Sequence, residues 1–242
     1  MNANFDVKII GTGSEGNSIV VDDKILIDAG LPWKVLSPYL MRKITAVFIT
    51  HEHGDHCNPS IFNRIAQNRP ALLNATYVNK STYHKLELRA NKAARLIPEK
   101  NILHEGTVVN IKRRSVNYQL KTYKLVHDVE NYGLVFTNLD TGKTLIHATD
   151  TETMKYAPEG KYDTLLIEGN YEEERLDKAV VHGTMEEKAR AMRNIRHLSI
   201  QEMEDFVKTH SHSKSIVIQL HESKDFGVTS PLDMSSELGV YI

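Results

Sequence analysis

The chain has 242 residues, enough for one large domain or two small ones, and 40% hydrophobic with 25% charged residues is typical of a globular protein. A single cysteine, Cys57, excludes an intramolecular disulfide and fits a reducing cytoplasm. We expect no signal peptide and no membrane span, and a formal net charge of −1 argues against dedicated binding of long nucleic acid.

Short strands joined by tight turns are predicted for the N-terminal third, at residues 7–10, 18–21, 24–28 and 44–49. The stretch 11–16 between the first two matches the Gly-x-Gly-x-x-Gly dinucleotide fingerprint letter for letter. That fingerprint requires a helix to follow, whereas Ser18 begins a β-branched strand, so we reject dinucleotide binding. Two readings stay open: a structural hairpin turn, or a turn whose backbone at Gly13 and Ser14 contacts a phosphate.

Helices and strands then alternate to the end of the chain. Helices are predicted at residues 59–68, 81–96, 185–196 and 199–210, and strands at 107–111, 119–126, 133–137, 144–148, 165–167 and 215–220. Nothing between them has the composition of a linker or a repeat. The order predicts an α/β (α+β) protein with two stacked sheets and outer helices, in one domain spanning residues 1–242.

The densest chemical signal is the run from Thr50 to His56, directly after the apolar strand 44–49. It carries four potential metal ligands: His51, His53, Asp55 and His56. Imidazoles and a carboxylate suit Zn²⁺, with Mn²⁺ as the alternative. Four side chains are more than one open catalytic ion takes, which favours two ions sharing the cluster.

Three later residues with ligand chemistry follow predicted strands: His127, Asp150 and His221. Strand ends present functional groups on a rigid scaffold. We assign His51, His53 and His127 to one ion. Asp55, His56 and His221 are assigned to the other, and Asp150 bridges the two.

His197 lies at the junction of two predicted helices, and Glu168 ends a predicted strand. A carboxylate in that place could orient the imidazole, as in hydrolytic triads. Cys57, next to His56, is interpreted as a small buried side chain beside the cluster.

The seven ligands in this order resemble the metallo-β-lactamase superfamily, over nearly the whole chain from residue 10 to His221. The resemblance implies a four-layer αββα sandwich with a dinuclear site. It also implies that Asp28, in the segment 26–30, supports the metal-site loop.

Glu168-Gly169-Asn170 and His197-Leu198-Ser199 are similar to the phosphodiesterase branch that includes RNase Z and YycJ-type exonucleases. This likeness implies that Glu168 orients His197, which contacts the phosphate or protonates the leaving oxygen, and it makes Ser199 a candidate substrate contact. Residues Arg196 and Ile200 depart from the YycJ pattern, and the long arm of RNase Z is missing.

A compact relative with these traits resembles the anti-Pycsar phosphodiesterases of phages and bacteria. That likeness implies hydrolysis of 3′,5′-cyclic mononucleotides (cyclic CMP, UMP, AMP and GMP) to nucleoside monophosphates, evasion of antiphage immunity, a homodimer, and a cytoplasmic location (the host's, if phage-encoded). In this reading Asp55, His197 and Glu168 are catalytic, and Asp55 receives the proton of the nucleophile.

Two alternatives remain. One is a DNA or RNA nuclease, suggested by Arg190, Arg193 and Arg196, which could follow a polynucleotide backbone. The other is a binding module that sequesters a nucleotide without turnover.

Overall fold

The structure is a computed structural model that describes residues 4–113 and 116–227. The described chain folds into two compact units. The first unit contains Phe5–Thr107 and Asp128–Tyr132, and the second contains Val108–His127 and the described chain from Gly133 onward, with Asn4. The prediction of one domain stays a prediction.

The first unit is a six-stranded mixed sheet with helices. Its strands are β1 Val7–Gly11, β2 Ser18–Val21, β3 Ile25–Ile27, β4 Ala46–Ile49, β5 Thr76–Asn79 and β6 Ile102–Leu103, and its helices are α1 Trp33–Leu40, α2 Pro59–Asn68, α3 Lys80–Arg89 and α4 Asn91–Ala94. The strands lie in sequence order, antiparallel from β1 to β3 and parallel from β3 to β6. The carboxyl ends of β3, β4 and β5 therefore meet at one edge of this sheet.

The second unit is also a six-stranded mixed sheet with helices. Its strands are β7 Val108–Arg113, β8 Val116–Lys124, β9 Tyr132–Asn138, β10 Thr144–Ala148, β11 Thr164–Glu168 and β12 Ile216–Leu220, and its helices are α5 Glu173–His182, α6 Met185–Asn194 and α7 Ile200–His210. The strand order is β12-β11-β10-β9-β8-β7, and β10, β11 and β12 run parallel. Their carboxyl ends share one edge, as those of β3 to β5 do in the first unit.

Each sheet is stabilised by its own apolar core. In the first unit, Val47 and Ile49 of β4 pack with Ile61 and Phe62 of α2, and all four side chains are at most 1% exposed. In the second unit, Leu165 and Ile167 of β11 pack with Met203 and Val207 of α7. Rigid strand ends follow from this packing, because a buried strand cannot shift without opening the core.

The predicted α/β class is confirmed, and most predicted elements are present. The single predicted helix at residues 81–96 is wrong: α3 ends at Arg89, because Ala90 leaves the helical region with φ −144° and ψ 46°, and α4 starts at Asn91. The sequence analysis missed α1, β5, β6 and α5. Among the described helices, none is long and apolar enough to span a bilayer.

Candidate metal centre

The first donor cluster occupies the turn that follows β4 in the first unit. The rings of His51 and His56 are fully buried, and their centroids lie 4.1 Å apart. The ring of His53 lies 4.9 Å from that of His51, and its side chain is partly exposed. Asp55 completes the set at the same turn, with 26% of its side chain exposed. Four potential metal ligands thus lie together at the end of one strand.

Asp28, the residue after β3, is hydrogen-bonded to this turn. Its carboxylate accepts hydrogen bonds from the Thr50 backbone N–H at 2.8 Å and from His56 Nδ1 at 2.7 Å, and it is 2% exposed. Because Nδ1 carries the donated proton, Nε2 of His56 keeps the lone pair that a metal ion needs. The backbone of Asp28 is left-handed, with φ 61°, a conformation that aspartate adopts at lower cost than most residues.

The glycine-rich turn 11–16 lies against the same cluster through Asn17. The backbone N–H of Asn17 donates to the carbonyl of Asp55 at 2.6 Å, and its side-chain amide nitrogen lies 2.7 Å from His56 Nε2. Asn17 also closes the turn itself, because its Oδ1 accepts from the Gly13 N–H at 2.8 Å. Sequence reasoning missed Asn17, although a polar residue next to a glycine turn was a signal.

The absence of a helix after this turn agrees with the rejection of dinucleotide binding, because β2 follows directly. Ser14 is exposed, and Gly13 has φ 109°. Substrate contact by Gly13 and Ser14 stays a prediction.

The second donor cluster lies at the carboxyl edge of β10, β11 and β12 in the second unit. Ligand atoms of Asp150, Glu168, His197 and His221 all lie within 4.8 Å of one another. The Asp150 carboxylate is 3.6 Å from His221 Nε2 and 3.5 Å from His197 Nδ1. The two imidazole rings are stacked, with centroids 5.0 Å apart.

The Glu168 carboxylate contacts three other residues at this edge of the sheet. It is fully buried, and its Oε1 accepts from His197 Nδ1 at 2.6 Å and lies 3.2 Å from His221 Nδ1, while its Oε2 accepts from the Thr151 N–H at 2.9 Å. Burial by itself raises the pKa of Glu168, but the hydrogen bonds from His197 and His221 outweigh it and hold that pKa below its ordinary value. A buried, ionised carboxylate therefore fixes both rings.

The pKa of His197 is shifted upwards, opposite to that of Glu168. Burial by itself lowers the pKa of His197, and the hydrogen bond and charge of Glu168, with a contribution from Asp150, raise it above the ordinary value. With Nδ1 bonded to Glu168, Nε2 is the nitrogen left to act on a substrate. A ring held as imidazolium has a proton there to donate.

Two residues of this cluster have a strained backbone. Asp150 and His221 each have φ 53°, in the left-handed region. Asn170 stabilises the backbone conformation of His221, because its side-chain amide donates a hydrogen bond to the His221 carbonyl at 2.7 Å. Strain of this kind, kept in place by hydrogen bonds, is typical of functional sites. The role of Asn170 was not foreseen from the sequence.

The two remaining predicted residues also belong to the second unit. His127 follows β8, and its ring centroid lies 6.1 Å from that of His197. Ser199 is buried and caps α7: its hydroxyl accepts from the Glu202 N–H at 3.1 Å and donates to Glu173 at 2.8 Å. Its hydroxyl is thus used by the fold, and contact with substrate stays a prediction. Cys57 is buried, as expected.

The donor set in each unit fits divalent metal ions. In the first unit, the Asp28 carboxylate at Nδ1 of His56 leaves Nε2 as the donor atom. In the second unit, Nδ1 of His221 lies 3.2 Å from Glu168 Oε1 and 3.1 Å from the Asn170 amide nitrogen. Neutral imidazoles with one or two carboxylates suit Zn²⁺ and Mn²⁺ better than Ca²⁺ or Mg²⁺, which prefer oxygen ligands.

The model of the beta-lactamase superfamily domain matches residues 23–210. This chain belongs to the metallo-β-lactamase superfamily. The match covers more than half of the chain, and it spans both donor clusters except His221. Together with the His/Asp clusters, it makes the protein a metal-dependent hydrolase.

Solved structures with the same fold confirm the metallo-β-lactamase architecture. The metallo-beta-lactamase fold protein YhfI from Bacillus subtilis is 15% identical with a TM-score of 0.63, covering 97% of this chain and 93% of its own. Human tRNase Z, short form, is 18% identical with a TM-score of 0.60 and coverages of 90% and 93%. Yeast PDE1 is 14% identical with a TM-score of 0.58 and coverages of 91% and 89%. No curated protein sequence matches this chain.

Proposed function

We propose that this superfamily member is a phosphodiesterase that hydrolyses 3′,5′-cyclic mononucleotides to nucleoside monophosphates. The observation that carries the proposal is the hydrogen bond of 2.6 Å between Glu168 and His197, beside the candidate ligands Asp150 and His221. It supplies an oriented proton donor next to metal-binding side chains, which ester hydrolysis requires. The likeness to tRNase Z and PDE1 supports a phosphodiester as the substrate.

The metal ligands in this proposal are His51, His53, Asp55, His56, His127, Asp150 and His221. Two divalent ions, Zn²⁺ or Mn²⁺, would activate water and neutralise charge on the phosphate oxygens when bound. Asp55 accepts the proton of the attacking water. His197, held by Glu168, donates a proton to the ribose 3′-oxygen as the P–O3′ bond breaks, so the ring opens to a 5′-monophosphate.

Substrate turnover tests the function directly. The purified protein, reconstituted with Mn²⁺ or Zn²⁺, should hydrolyse cyclic CMP, UMP, AMP or GMP, and a chelator should abolish the activity. If all four cyclic nucleotides stay intact in metal-replete buffer, the proposal is wrong. Binding without product would favour the sequestering module.

The Glu168–His197 pair has its own test. Replacement His197→Ala should lower kcat by about 10²- to 10⁴-fold, and Glu168→Gln should lower it less, because the ring keeps its place but loses the charge that favours its protonation. The matched control is His84→Ala, since His84 is 71% exposed on α3. Metal content should be measured for each variant, so that loss of the acid can be told from loss of the ions.

A nuclease is the second candidate, favoured by the fold likeness to tRNase Z and by the arginines of α6. One of these arginines is already engaged, because Arg190 lies 3.6 Å from Asp225 and 3.8 Å from Glu186. Polynucleotide cleavage with a steep decrease at higher salt would support this function. A role in evading antiphage immunity is part of the first proposal and is tested by expressing the gene in cells that signal with cyclic CMP or UMP.

A further inference from the structure

Tyr156 stands out among the tyrosines of this chain. Of the nine that the structure describes, it alone is exposed, at 44%, whereas the others are half-buried or buried. It lies in the loop between β10 and β11, six residues after Asp150. An exposed aromatic face costs free energy in water, and it can be covered by a planar ligand.

Two ammonium groups lie over this ring. Lys155 Nζ is 4.8 Å and Lys124 Nζ is 5.4 Å from the ring centroid, both within the range of cation–π attraction. The site thus offers an aromatic face together with positive charge. A nucleotide presents the complementary pair, a flat base and an anionic phosphate.

The loop that carries Tyr156 is fastened to the segment that leads to His127. The Glu152 N–H donates to the Val126 carbonyl at 2.9 Å, and the Val126 N–H donates to the Thr151 hydroxyl at 3.2 Å. Lys124 is three residues before His127, at most about 11 Å along the chain. Two hydrogen bonds and the contact of Lys124 with the ring therefore connect the loop that carries Tyr156 to the segment that leads to His127.

We propose that Tyr156, flanked by Lys124 and Lys155, binds the nucleotide substrate by stacking on its base, while the positive charge of the two ammonium groups attracts the anionic nucleotide to this side of the site. The inference rests on the proposed phosphodiesterase function and names the residue that recognises the base. Stacking on a tyrosine accepts every base, because each has a π-face. The site therefore predicts broad specificity across pyrimidine and purine cyclic nucleotides.

Steady-state kinetics separate this role from a structural one. Tyr156→Ala should raise KM for cyclic nucleotides about tenfold or more with little change in kcat, and Tyr156→Phe should restore the wild-type KM, because the ring is kept. The cyclic phosphate of a base-free ribose should show the same KM with all three proteins. A KM unchanged by Tyr156→Ala, or raised equally for the base-free ester, would overturn the inference.

The lysines have a matched control. Lys155→Ala should raise KM and flatten its salt dependence, whereas Lys100→Ala, an exposed lysine of the first unit, should change neither. Calorimetric binding of CMP and AMP to wild type and Tyr156→Ala does not depend on turnover. An inactive wild type would count against the proposed function, and equal nucleotide affinity of the two proteins would count against the base site.

Discussion

At the scale of single residues, the site is built from side chains whose partners fix their ionisation and tautomer. Asp28 and Glu168 perform the same task in different units. Asp28 follows a strand and Glu168 ends one, both are buried, and the carboxylate of each accepts a hydrogen bond from Nδ1 of a histidine. The histidines can be recognised as candidate site residues from the sequence. The carboxylates that orient them are distant in sequence and close in space.

Asp28 should control metal affinity without touching the metal. Asp28→Asn keeps the size and tolerates the left-handed backbone, but it no longer fixes the proton on His56 Nδ1. We expect metal affinity to fall about 10- to 100-fold, measured by competition with a chromogenic chelator. Asp22→Asn is the matched control, since Asp22 also has a positive φ, of 50°. Equal losses in both variants would contradict this role.

Asp23 should make a separate, acid-sensitive contribution to stability. Hydrogen bonds from Lys43 and Lys8 lower its pKa from 3.8 to about 2. Because the folded-state pKa is depressed, the stabilisation is complete above about pH 4 and is lost as the pH falls towards 2. In urea unfolding at pH 6, 4 and 2.5, Asp23→Asn should be less stable than wild type at the two higher values, with the difference shrinking at the lowest. A difference that is constant with pH would refute the assignment.

At the scale of elements, the carboxyl ends of parallel strands decide where chemistry is placed. The loop after β3 and the turn after β4 pack closely, since the Ala29 N–H donates to the His56 carbonyl at 2.8 Å and the Asn58 N–H donates back to the Ala29 carbonyl at 3.1 Å. This packing explains a glycine next to it. A Cβ built on Gly30 would lie 1.6 Å from the carbonyl oxygen of Asp55.

Gly30→Ala should therefore displace the turn that carries the first donor cluster. We expect a loss of about 1–3 kcal/mol in the free energy of unfolding and weaker metal binding, because the Asp55 backbone must move. Gly54→Ala is the control within the same turn, where an added Cβ meets nothing within 4 Å. Chemical denaturation and metal titration of both variants test this. A tolerated Gly30→Ala would show that the turn yields more easily than the packing indicates.

At the scale of the whole molecule, metal binding should be linked to global stability, because the donors come from separate strand ends of the folded state. Cys57 is a built-in reporter, since it is the only cysteine and is buried beside the first donor cluster, and burial raises the pKa of its thiol to about 12. It should react with iodoacetamide only when the structure opens.

Saturating Mn²⁺ should slow the alkylation of Cys57 roughly 100-fold when the free metal is about 100 times its Kd. Mass spectrometry after timed quenching measures the rate. The same experiment on Asp28→Asn should show less protection at equal metal concentration. Alkylation at the same rate with and without metal would contradict a metal-linked fold.

The sequence by itself determined the α/β class, most strands and the crowding of His51, His53, Asp55 and His56 into one turn. These follow from local order: a β-branched run predicts a strand, and ligands crowded after one strand must share one turn. The superfamily and the contact between Glu168 and His197 were implied by the family resemblance, because those two residues are 29 positions apart. Prediction from the sequence failed where no local pattern exists, as at α1, α5 and the break at Ala90, because these features depend on packing against neighbouring elements.

Only the tertiary structure decided which residues support the donors. Asn17 and Asn170 contact the donor clusters. The hydroxyl of Ser199 accepts a hydrogen bond from the backbone of α7 and so caps that helix. Among the described tyrosines it also singled out Tyr156, which the sequence could not distinguish from the rest. The physical reason is that hydrogen-bond partners and exposure arise when distant strand ends come to one edge, and linear spacing carries no record of that approach.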